Sequence, residues 1–234
     1  MKKIIIIISI LLVTTLSYSA SKVYDTLVVE GTSQLGGSAN YADVEADGTI
    51  EYIGDATVWD DIRVVPASLD RPGVSDPDIT TYNVGGGGAI TYLWQFDKND
   101  IASFTIQMPH QYKVGSDIYA HIHWTAADKG VAENGNTVGW KVDYSWDSID
   151  AIYVTMDTAD LSDTCDGADH KHQMTPEVLI SGTGKTLSSM IICNVKRTDT
   201  GADDTWGDAQ GPLLLEIDFH YEKDTLGSRE RTVK

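Results

Sequence analysis

Beyond Ala89 the chain reads as a succession of strands, with apolar residues alternating clearly in one run and partly in others, and no stretch carries them at the 3.6-residue spacing of an amphipathic helix. Val138, Trp140, Val142, Tyr144 and Trp146 fall on one side of an extended chain. Successive strand side chains point to opposite faces, so such a run buries one side of a sheet and leaves the other free. The runs 89–96, 101–108, 117–124, 151–156, 177–180, 187–195 and 212–221 continue the pattern with β-branched and aromatic residues. In the last of them Leu213, Leu215, Ile217 and Phe219 are read as sharing a face. Lys98-Asn99-Asp100 and Val114-Gly115-Ser116 are turn sequences between runs. About eight strands in roughly 135 residues predict an all-β fold: two packed antiparallel sheets in a β-sandwich or jelly roll.

The chain before Ala89 reads differently. Within residues 23–54 short apolar pieces alternate with glycine turns, and Glu30–Gly36 is loosely echoed by Asp47–Gly54. Neither piece has the bulk to bury its own apolar side, which is the situation of a single rung in a solenoid or fibre shaft. Cover would come from other copies of the chain, or from packing as edge strands on the main domain. Residues 64–89 hold Pro66, Pro72-Gly73, Asp76-Pro77 and Gly85–Gly88 and read as a long connection. Three regions are therefore expected: a hydrophobic N-terminal segment over 1–20, a shaft-like β extension for assembly over 21–60, and a β-sandwich head over 61–234.

Met1-Lys2-Lys3 followed by the apolar run Ile4–Val13 and then Ser17-Tyr18-Ser19-Ala20 has the layout of a secretory signal. The alternative is a retained β-prone assembly segment. The run is too short for a bilayer, which needs about 20 residues, so no stable membrane span is expected. Read as a secretory signal, this layout implies an extracellular location. A net charge of -18 with no basic cluster argues against nucleic acid as a partner. Tyr (11) and Trp (6) outnumber Phe (3), which suits half-exposed sheet faces and contact with a cell-surface glycan. In an oxidising compartment Cys165 and Cys193 would either bridge a loop to a strand or remain two unrelated thiols.

His121 and His123, two apart in one strand, project to the same side and are the candidate metal ligands. With Gly115 before them and Asp128 and Gly135 after, their spacing is half of the first motif of cupins, metal-binding jelly rolls. That motif normally has Glu where Asp128 stands, and the Pro-x-Gly turn of the second motif is missing before His220. A cupin-like metalloenzyme would use His121, His123 and His220 on a transition metal. Three His-x-His pairs meeting on a trimer axis would instead supply six nitrogens to one ion. The bland reading is that both imidazoles are hydrogen-bonded on a sheet face. His170-Lys171-His172 follows Asp163, Asp166 and Asp169 without EF-hand spacing and reads as a solvated loop. Gly182-Thr183-Gly184-Lys185-Thr186 lacks the first glycine of a phosphate loop, since Leu179 stands there, and reads as a hairpin turn. No nucleophile elbow or carboxylate dyad stands out, so no catalytic residue is assigned; scattered loop carboxylates keep a glycosidase among the alternatives.

Taken together, Gly54–Asp61, Gln107–His110, Gly115–Tyr119, His121–Trp124, Gly182–Lys185, Leu214–Tyr221 and Asp224–Arg229 resemble virion structural proteins of tailed phages and prophages. In that family the domain often forms the C-terminal head behind a repetitive fibre shaft. The resemblance covers about residues 41–230 and implies a trimeric tail-fibre or appendage component, without enzymatic activity, that presents a β-sandwich to a receptor. The export-type N-terminus leaves a cell-encoded surface filament built from the same domain as an alternative. Outside that class, the runner-up is a monomeric secreted carbohydrate-binding module or adhesin.

Overall fold

The structure, a computed structural model, describes residues 31–198, 203–207 and 209–231. The expected signal segment, 1–20, and the first ten residues of the expected assembly extension lie outside the described residues. A three-stranded antiparallel meander comes first, formed by β1 (Ser33–Gly36), β2 (Tyr41–Val44) and β3 (Ile50–Ile53). The two echoed pieces of sequence supply β1 and β3, which flank β2. Their closing glycines have a common cause. Gly36 (φ +137°) and Gly54 (φ +63°) both lie in the left-handed region, and a Cβ on either would run into the backbone of Ala39 or Asn40.

The main body is built from β4 (Val58–Val64), β5 (Asp78–Val84), β6 (Ala89–Gln95), β7 (Ile101–Gln107) and β8 (Ile118–Thr125), then β9 (Thr137–Val138), β10 (Trp140–Asp147), β11 (Asp157–Asp160) and β12 (Asp163–Thr164). β13 (His172–Met174), β14 (Val178–Ile180), β15 (Met190–Arg197) and β16 (Leu213–Lys223) complete it. Among the described residues the helical segments include three short 3-10 turns, Gly54–Ala56, Pro66–Ser68 and Ala127–Lys129. One sheet has seven strands: β13-β8-β16-β6-β5, with β14 also on β8 and β4 also on β16. The other runs β11-β10-β15-β7, and every strand pairing described is antiparallel. The all-β sandwich expected from the alternation is the fold observed.

The period-two pattern explains the core. Ile118, Ala120, Ile122 and Trp124 of β8 and Leu214, Ile217, Phe219 and Tyr221 of β16 face Val142, Trp146, Ile191, Cys193, Phe104 and Ile106 of the opposing sheet. Phe104 and Phe219 meet across the sandwich with ring centroids 6.1 Å apart, and Tyr112 meets Trp146 at 6.0 Å. Such aromatic pairs add to the burial of their area.

Four local expectations are corrected. Residues 151–156 are not a strand: Ile152 is 87% exposed, and the edge strand is β11, whose Ala159 is buried opposite Val142. Pairing with β10 decides this, because the Thr158 hydroxyl also donates to Asp143 across the ladder at 2.6 Å. Residues 64–89 are not all connection, since β5 lies within them and Gly85–Gly88 is the turn of a β5–β6 hairpin. In β16 a register shift between Leu214 and Glu216 moves the core face, so Leu214 faces inward and Leu215 does not. The Gly182–Thr186 turn is not a hairpin but a crossover: β14 before it pairs with β8, and β15 after it pairs with β10 and β7. A Cβ at Gly182 would strike the Ser116 carbonyl. Cys165 and Cys193 are both buried and free, and burial drives the Cys193 thiol far above its ordinary range.

Candidate functional site

The side chains that alternate with the core residues of β4, β8 and β16 form the opposite face of the large sheet. Cross-strand register sets their neighbours: His121 lies opposite Asp218, His123 opposite Glu216, and Tyr119 opposite His220. On the other side of β16, Asp218 faces Arg63, His220 faces Asp61, and Glu222 faces Trp59. β13 pairs with the end of β8 and brings His172 alongside.

His121 Nε2 and His123 Nε2 lie 2.9 Å apart. Asp218 Oδ2 is 3.1 Å from His123 Nε2 and 3.7 Å from His121 Nε2. The outer nitrogen of His123, Nδ1, is 2.6 Å from His172 Nε2. His121 also stacks at 4.6 Å on the ring of His220, whose Nδ1 meets Asp61 and whose Nε2 lies 3.3 Å from Glu177. Four histidines are thus in a chain of ring contacts, His172–His123–His121–His220. His121 is only 1% exposed. Burial, with His123 and His220 beside it, lowers its pKa to about 4, so the ring is neutral near pH 7. Burial and the neighbouring Glu216 raise the Asp218 carboxyl to about 6. Glu216 itself is held below the usual carboxylate range by Arg63, whose Nη2 donates to it at 2.7 Å.

The sequence placed His121 and His123 on one side of a strand, and the structure does so. His220 comes beside them, but its nitrogens are engaged by Asp61 and Glu177. Asp218 and Glu177 are the residues that the sequence did not single out, and His172, read there as part of a solvated loop, lies instead in β13 on the edge of β8. Asp218 had a visible signal, because Glu216, Asp218 and His220 alternate with the core residues of the same strand. His172 had none: only pairing of β13 with β8 brings it in. The acidic residues ahead of it are engaged separately, Asp163 accepting from the Trp124 indole at 2.8 Å and Asp169 from the Val131 amide at 3.0 Å. Lys185 in the glycine turn is turned to the Trp146 carbonyl and Asp147, not to an open phosphate cradle.

Two clefts open from this face. One, of about 380 Å³, is lined by Asp61, Arg63, His123, His172, Glu216 and Asp218, with Leu215 at its edge. The other, of about 390 Å³, is lined by Trp59, Tyr119, Glu177 and His220; its aromatic rings meet edge to face at 5.5 Å. Among the described residues no helix is long and apolar enough to cross a membrane.

No protein-family model matches this chain, and no curated protein matches it. Among solved structures it is similar to a family GH115 4-O-methyl-alpha-glucuronidase with specificity for decorated arabinogalactans, at 11% identity and TM-score 0.34 over 68% of this chain. It is also similar to the enzymatically active domain of bacteriophage CBA120 tailspike protein 4, at 9% identity and TM-score 0.28 over 72% of this chain. The stem and receptor-binding domain of spike protein P1 from bacteriophage PM2 is a third, at 9% identity and TM-score 0.25, covering 71% of this chain and 96% of that one. The chain spans only 17% and 19% of the first two. Identities and scores this low assign neither a family nor an activity.

Proposed function

We propose that this chain is a structural component of a virion appendage or extracellular fibre, which joins copies of itself through its N-terminal region and turns the β-sandwich outward. The observation that carries the reading is that none of residues 31–63 is buried. In the meander, register puts Leu35, Ala42 and Tyr52 in one row and Val44 and Ile50 in the next, all on one face. Leu35 remains 66% exposed. Apolar rows of this kind gain free energy by leaving water, at about 25 cal/mol per Å², and one chain alone leaves Leu35 exposed and Ala42, Val44, Ile50 and Tyr52 only half-buried. The meander is anchored at its far edge, where the Tyr52 amide donates to the Asp224 carbonyl at 2.6 Å. Light scattering on the full chain tests the reading: an assembly is expected, reduced to monomer by Leu35→Asp with Ile50→Asp. A wild-type monomer at high concentration overturns it.

A receptor glycan is the ligand class this reading assigns to the Trp59–Tyr119–Glu177–His220 cleft. An exposed indole beside a carboxylate and an imidazole offers a sugar both an apolar platform and hydrogen-bonding groups. Titration with a panel of neutral and acidic oligosaccharides, monitored by Trp fluorescence, should show binding that Trp59→Ala abolishes.

A further inference from the structure

We propose that His121, His123 and Asp218 of a single chain bind one divalent transition-metal ion, with His172 as the residue that positions His123. The inference stands whether or not copies of the chain assemble. Three lone-pair atoms, two imidazole Nε2 and one carboxylate Oδ2, lie 2.9, 3.1 and 3.7 Å from one another. For metal–ligand bonds of about 2.1 Å these separations subtend angles of roughly 90° to 120°, the range of tetrahedral and facial octahedral sites. A single proton on His123 Nε2 can point at only one of its two neighbours, whereas a cation at the centre serves all three.

Two further observations support a ligand here. Asp218 is 6% exposed, and its second oxygen, Oδ1, is buried with no hydrogen-bond partner. A buried carboxylate oxygen without a partner needs an explanation, and bidentate coordination supplies one. His172 Nε2, at 2.6 Å from His123 Nδ1, accepts the Nδ1–H and leaves the His123 Nε2 lone pair turned inward. Metal-binding histidines are commonly oriented by such an outer partner. Arg63 neutralises Glu216, so the set presents one net negative charge to a divalent cation, and the 380 Å³ cleft provides a path in from solvent.

The burial of His121 makes the site belong to one chain, since a ring 1% exposed does not reach a symmetry axis. Three protein ligands leave coordination positions open toward the cleft for water or an external donor.

The test uses the untagged full chain, stripped with chelator and titrated with Zn²⁺ and Co²⁺ by calorimetry and visible absorption. One ion per chain is expected, with Co²⁺ bands of low coordination number and a raised Tm for the Zn²⁺ form. Asp218→Asn, close to isosteric, should weaken binding at least about 100-fold with unchanged far-UV circular dichroism. His123→Ala should do the same. His172→Ala should weaken it about 10–100-fold and shift the Co²⁺ bands, and His172→Gln, which keeps an acceptor, should restore them. Stoichiometry of one ion per three chains, no binding, or binding that survives both Asp218→Asn and His123→Ala overturns the proposal.

Discussion

Arg197 and Asp204 show how much one residue pair decides. Both are buried, and they meet through two hydrogen bonds at 2.7 and 3.0 Å. Arg197 Nη1 also donates to the Phe96 carbonyl at 3.1 Å, and Asp204 accepts the Gly139 amide at 3.0 Å. Removing one partner strands the other charge away from water, a loss of about 3–5 kcal/mol. Asp204→Ala is therefore expected to lower the denaturation midpoint far more than Asp203→Ala, measured by urea unfolding. Two phenols decide the alkaline limit. Burial pushes Tyr112 to about 12, and burial with Asp60 beside it does the same to Tyr221. In the unfolded chain each ionises near pH 10, so above that pH the unfolded state holds fewer protons and stability falls. Their contribution is complete below pH 10 and disappears as pH rises toward 12. Calorimetry should show Tm dropping steeply across that interval, and less steeply in Tyr112→Phe.

At the scale of elements, β8 carries the core on one side and the histidines on the other. Ile122→Ala leaves a cavity beneath the sheet and is expected to cost about 2–5 kcal/mol, read as a lowered midpoint of unfolding. The meander is a separate case. Gly54 is left-handed and crowded by Ala39 and Asn40, so Gly54→Ala should break the packing of the β3 exit on the β1–β2 turn and abolish assembly. The Tm of the sandwich should change little, because the core contains no residue before Val64. Amide exchange would locate the loss in residues 36–56. The elements also show why parts of the fold were legible. Trp140–Trp146 alternates as its spacing requires and forms β10, while Val138, expected in the same strand, is split off at Gly139 into β9, which pairs with β12. Residues 151–156 look equally strand-like, but β10 has its edge filled by β11, whose sequence Asp-Thr-Ala-Asp has little strand character of its own. Backbone pairing and one buried alanine outweigh propensity there.

For the whole molecule, a net charge of -18 sets copies against one another. Assembly through an apolar face must overcome that repulsion, which salt screens over about 10 Å at 0.1 M. Raising NaCl from about 0.05 to about 0.5 M should increase the assembled fraction in sedimentation velocity. Decreasing assembly with salt would point instead to ion pairs as the contact.

Short-range rules were enough for the sandwich class, the inward faces of β8 and β10, and the shared side of His121 and His123, because strand alternation is a property of consecutive residues. They were enough as well for the thinness of the early glycine-rich stretch. The face exchange in β16, the burial of His121, and the arrival of Asp218 and His172 beside His123 were settled by tertiary structure alone. These depend on which strands become neighbours and in what register, and residues 95 or 49 positions apart in the chain carry no local trace of that pairing.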